Sequence, residues 1–143
     1  MEQQQPRGLR NHNPLNIRHN PANKWQGMSP VQDDTQFVHF NSDEWGLRAA
    51  FVILRNWFTE AKRHRKILRV RDIVSRWAPA NDGNNIDAYV AQVCQRGFIQ
   101  ETEQLQFTNE NTMCRLVYAM AFVECGKEVS FGLICNAYAM AKH

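Results

Sequence analysis

Glu124 is the residue best placed by type and spacing to move a proton. It follows seven consecutive apolar positions, Val117 to Val123. The stripe Met113, Val117, Met120 continues onto it in steps of four, three and four. That spacing sets the carboxyl on the same helical face as the apolar side chains. A helix apolar all round is a central one, buried on most faces. Apolar surroundings disfavour the ionised form, and so does the negative end of a helix dipole. A carboxyl kept protonated near neutral pH can act as a general acid, for example toward the leaving oxygen of a sugar. A plainer role fits the same position: a helix emerging into water, followed by Lys127 and Glu128. Periodicity alone favours the plainer role.

Other reactive side chains are less organised. The histidines His12, His19, His39, His64 and His143 are scattered, with no pair at metal-ligand spacing on a helix. Cys94, Cys114, Cys125 and Cys135 match no CxxC or zinc pattern and read as small buried hydrophobes with reduced thiols. Cys125 adjoins Glu124 but has no evident histidine partner, so it is a poor nucleophile. Lys62, Arg63, Arg65, Lys66, Arg69 and Arg71 form a basic run. It reads first as a solvated helix end; nucleic-acid or anionic-polymer binding is the alternative.

The elements that must position these groups are mostly helices. The 143 residues, 43% of them hydrophobic, suit one domain with one core. Residues 1–12 read as a flexible arm and 13–143 as a single domain. Within it, Leu15–Arg18 and Gln36–Phe40 are β-prone and imply a small hairpin or sheet. A helix starts after Asn41 or Ser42, where Asn41 with Glu44 looks like a capping box, and its stripe is Leu47, Ala50, Phe51, Leu54, Trp57 and Phe58. Further helices are expected over 70–77, stopped by Pro79, over 86–95 with an end near Gly97, from Thr108 or Asn109 to Cys125, and from Ser130 to about Ala141. Gly126 suits a left-handed terminator. The class is mostly α (α+β).

Net charge is +3 and the isoelectric point is near 8.8, which suits an anionic partner without identifying one. The N-terminus shows no Sec-type signal, and no apolar run approaches a membrane span. The expectation is synthesis in the cytoplasm, with release or virion association by another route.

Two segments carry a resemblance. The first is Arg10-Asn11-His12-Asn13-Pro14-Leu15-Asn16-Ile17-Arg18, followed by Trp25-Gln26-Gly27, Phe37-Val38-His39-Phe40 and Glu44-Trp45-Gly46-Leu47-Arg48. The second is Arg76-Trp77-Ala78-Pro79 with Tyr89-Val90-Ala91-Gln92-Val93. Both resemble phage virion-associated and prophage lysozyme-like proteins, except that Leu15 stands where that pattern has glycine. More distantly they are similar to cell-wall N-acetylglucosaminidases and lytic transglycosylases of the lysozyme superfamily. There the glutamate-ended helix precedes the Asn-rich turn. Here Ala119–Gly126 follows it, so the resemblance implies a circularly permuted lysozyme-like domain.

The resemblance implies a peptidoglycan hydrolase that cleaves β-1,4 amino-sugar linkages, with Glu124 as the acid. Asp34, or its neighbour Asp33, is the candidate second carboxylate, although a solvated turn explains both equally well. Tyr89 corresponds to the tyrosine lining the cleft in such families; a core tyrosine is the alternative. Asn13 and Asn16 would position backbone or sugar hydroxyls, against plain turn chemistry. Trp25 and Trp77 would stack on sugars, against a role as core anchors. The implied partners are peptidoglycan glycan strands and other virion or cell-envelope proteins. No metal or organic cofactor is implied. Two other functions compete: a non-catalytic virion or glycan-binding protein, and a basic nucleic-acid-binding module.

Overall fold

A computed structural model describes residues 5–142. Its elements are α1 (Arg7–Arg10), α2 (Asp43–Arg63), α3 (Val70–Trp77), a short 3-10 turn (Ala80–Asp82), α4 (Ile86–Gly97), α5 (Glu110–Cys125) and α6 (Phe131–Ala141). The fold is mostly α-helical, and the described residues contain no β-strand.

The expected hairpin is therefore replaced by isolated antiparallel bridges, Arg18 with Phe37 and Met28 with Phe40. Side chains take the groups that a ladder would need. Asn13 Nδ2 donates to the carbonyls of Ile17 and Val38, both at 2.9 Å, while Asn13 Oδ1 accepts from Ile17 N at 2.9 Å. Asp34 Oδ1 accepts from the amides of Gln36 and Phe37 at 2.9 and 3.0 Å. Asn16 lies in the left-handed region, with φ of 55°, and ends the extended run on one side. The alternation read in Gln36–Phe40 holds locally: Val38 and Phe40 are buried, Phe37 and His39 only partly so.

Helix boundaries follow their caps. Ser42, not Asn41, caps α2 by accepting from Trp45 N. Asn41 instead donates to the Met28 carbonyl. Asp72 accepts from Arg69 N at 2.8 Å and fixes the start of α3. Asn85, Asn109 and Ser130 cap α4, α5 and α6 in the same way. Gly126, with φ of 75°, terminates α5. At the end of α4 the left-handed residue is Phe98, not Gly97.

The described part of the expected arm is folded onto the body. Gly8 in α1 is buried, and a Cβ there would stand 2.9 Å from the Asn13 carbonyl oxygen. Gly46 in α2 allows a still closer approach, since its Cβ would fall 2.2 Å from the His12 carbonyl oxygen. One apolar cluster gathers Leu15, Ile17, Val38 and Phe40 with the inner faces of α2 to α6. α5 is its centre: Met113, Leu116, Val117, Met120 and Ala121 have no exposed surface. Tyr118, Phe122 and Val123 are partly exposed, so α5 keeps one outward side.

No helix of the described residues is long and apolar enough to cross a membrane. Cys94, Cys114, Cys125 and Cys135 are free thiols.

Candidate functional site

The last turn of α5 carries Glu124 to the edge of the core, where its carboxyl meets two other elements. The Tyr89 hydroxyl donates to Oε2 at 2.9 Å from the first turn of α4. Asn16 Nδ2 donates at 3.1 Å both to Oε1 and to the main-chain carbonyl of Glu124. The second of these bonds satisfies a carbonyl that the end of a helix leaves without an intrahelical partner. It also ties the 13–18 turn to a residue 108 positions away.

Burial raises the Glu124 carboxyl above the ordinary glutamate range. The bonds from Asn16 and Tyr89 and the charge of Arg18 pull it back, and the net shift is upward. Burial also pushes the Tyr89 hydroxyl well above the usual range, followed by the Glu124 charge and the shared hydrogen bond. Tyr89 therefore stays a neutral hydroxyl.

A cleft of about 170 Å³ opens in front of the carboxyl, lined by Asn16, Arg18, Phe37, Trp77, Ala78, Asp82, Asn84 and Glu124. Trp77 stands at the end of α3. Its Nε1 donates to the Leu15 carbonyl at 3.0 Å, and its ring meets Trp57 edge-on at 5.6 Å. It thus pins the Asn-rich turn while lining the cleft. Phe37 lies under two guanidinium groups, Arg7 at 4.7 Å and Arg18 at 5.5 Å from the ring centre.

Of the residues singled out from sequence, Glu124, Tyr89, Asn16 and Trp77 come together; Tyr89 reaches the carboxyl without lining the cleft. Asn13, Asp34 and Trp25 do not line it. Asn13 is fully buried and spends its amide on Ile17 and Val38. Asp34 is gripped by Arg7 through both oxygens, at 2.5 and 2.6 Å, and accepts from Asn11 at 3.0 Å. Arg7 holds this carboxyl well below the usual range, which makes it a structural anchor. Trp25 borders a different hollow with His19, Pro21 and Met28, and its buried Nε1 has no partner.

Asp82 and Asn84 also line the cleft and are not among the residues that the sequence singles out. Their signal was position: they lie between Trp-Ala-Pro and the Tyr89 helix. Arg18 closes the resembling turn and was likewise not singled out. Among the described residues no three His, Cys, Asp or Glu side chains converge in a metal-holding group.

No family model matches the chain. It is 30% identical over 122 residues to Protein P5 of Pseudoalteromonas phage PM2, across 84% of this chain and 71% of that protein. The chain belongs to the family of phage PM2 Protein P5. The relative is a phage protein, and the match covers most of this chain.

Proposed function

We propose that this member of the P5 family is a peptidoglycan-cleaving enzyme acting on β-1,4 amino-sugar linkages, with Glu124 as its general acid. The observation that carries the reading is the Glu124 carboxyl, raised by burial and held between Tyr89 and Asn16 at the floor of a cleft. The meeting of residues 16 and 124 supports a lysozyme-like domain in circularly permuted order, because that order requires both to share one site. Membership of a phage family supports a place in the virion, where a wall-cleaving protein meets its substrate without needing a signal of its own.

In this reading protonated Glu124 gives its proton to the glycosidic oxygen as the bond to the anomeric carbon breaks. The carboxylate left behind is stabilised by the donors already in place, Tyr89 and Asn16, and by the Arg18 charge. Asp82, rather than Asp34, is the second carboxylate, since it shares the cleft. It takes the proton of the water that adds to the anomeric carbon. Trp77 offers apolar surface to the sugar rings.

A non-catalytic glycan-binding virion protein is the second reading. It is favoured by the two donors on Glu124, both of which draw the group toward the ionised form. Purified peptidoglycan separates the two. The enzyme reading expects soluble glycan fragments from the native protein and none from folded Glu124→Gln. Release by neither folded protein favours the binding reading, whereas equal release by both removes Glu124 as the acid.

A further inference from the structure

A larger cleft lies at the far end of α2 and shares no lining residue with the Glu124 site. It is a cavity of about 660 Å³ between the end of α2, the chain at 65–68, the 104–108 connection and Lys142. Phe58, Leu68, Leu105 and Phe107 give it an apolar floor. Lys62, Arg65, Lys66 and Lys142 stand around it, all exposed, and no Asp or Glu lines it. Among the described residues none of these four cations forms an ion pair. By contrast, Arg71 in the same basic run is tied to Asp87 and Glu101, and Arg76 just beyond it faces Glu60. The run is therefore divided. One part is neutralised on the surface, and the other faces an apolar hollow with no ion pair among the described residues.

We propose that this cleft binds an anionic lipid, its phosphate among Lys62, Arg65, Lys66 and Lys142 and its first methylenes on Phe58 and Phe107. A hollow of several hundred Å³ has the size of a small-ligand site. Duplex DNA instead needs phosphate contacts strung along an extended surface. The pairing of four cations with an apolar floor matches a ligand charged at one end and greasy at the other. Clustered Lys and Arg attract anionic headgroups at about 1 kcal/mol for each charge near the surface.

The test uses dihexanoyl phosphatidylglycerol as monomers, titrated into the full chain and followed by chemical shifts of residues around the cleft. Saturable binding at one site is expected. Lys62→Gln with Lys66→Gln should weaken it roughly thirtyfold, the equivalent of about 2 kcal/mol for two charges. Phe107→Leu, which keeps an apolar floor, should weaken binding less than the double change. Unaltered circular dichroism assures that each variant is folded. Equal binding of dihexanoyl phosphatidylcholine overturns the proposal, since the cations then contribute nothing. Equal affinity for inorganic phosphate also overturns it, as does tighter binding of a single-stranded oligonucleotide at the same residues.

Discussion

Asn16 Nδ2 donates to both the side-chain Oε1 and the main-chain carbonyl of Glu124, at 3.1 Å in each case. One amide thus fixes the position of the helix end and the direction of its carboxyl together. Asn16→Ala removes both bonds and leaves a helix carbonyl without its partner. The expected cost is about 1–3 kcal/mol of stability. Asn16 is in the left-handed region, so Asn16→Gly separates the effects: backbone strain is relieved while the bonds are lost. Urea melts of the two variants measure the difference.

Glu124→Gln is expected to abolish glycan release while leaving the fold equally or more stable. The amide keeps an acceptor for Tyr89 but carries no transferable proton. A general acid contributes about 10²–10⁴-fold, so turnover should fall by at least that range. A marked loss of stability in this variant would mean that the carboxylate is needed by the fold.

The pH dependence has a defined sign. Glu124 is raised above its ordinary value of 4.5, so the folded state holds its proton more tightly than the unfolded one. Its contribution to stability is largest below pH 4.5 and declines as pH rises toward the folded pKa. The stability advantage of Glu124→Gln should grow across that window and then level off. Activity should fall as pH rises through the same folded pKa. Tyr89→Phe deletes a bond that lowers this pKa, so the alkaline limb of its rate profile should move to higher pH.

The two aspartates divide by role. Asp82→Asn should reduce turnover with little change in urea midpoint, because the residue is exposed and lines the cleft. Asp34→Ala should cost about 1–3 kcal/mol of stability through the lost bonds to Arg7, Asn11 and two amides. Asp34 lies below its ordinary 3.8, so its contribution is present above that pH and is lost as pH falls further. Acid unfolding of the native chain should therefore begin below pH 3.8 at this anchor.

Arg65 has φ of 54° where α2 turns into the next segment. Arg65→Gly should stabilise the chain by about 1 kcal/mol, because glycine adopts this region without strain. A melting temperature a few degrees higher would show it.

Helix positions were readable because their signals are local. Asn85, Asn109, Ser130, Pro79 and Gly126 act on neighbouring amides and dihedrals: α4, α5 and α6 begin after the first three, α3 ends just before Pro79, and α5 ends at Gly126. The hairpin was misread because its outcome depends on side chains elsewhere. Alternation in Gln36–Phe40 marks burial of Val38 and Phe40, but Asn13 and Asp34 take the backbone groups that a strand pair would use. Trp25 and Trp77 are the same residue type, yet only Trp77 reaches the cleft, because Leu15 supplies an acceptor for its ring nitrogen. Asp82 is harder to read for the complementary reason: its place between Trp-Ala-Pro and the Tyr89 helix is the one sequence signal, and its residue type alone does not separate a solvated loop carboxylate from one that lines the cleft.

The joining of residues 16, 89 and 124 also bears on how the chain is made. Synthesis runs from the N-terminus, so the Asn-rich turn and the Tyr89 helix emerge well before the acid that completes them. A ribosome that stalls or a protease that cuts before residue 124 leaves a product with a platform and no proton donor. Contacts of such long sequence separation also form slowly. Any wall-degrading capacity of the kind proposed above is thereby withheld until residue 124 has been made, a delay written into the order of these segments.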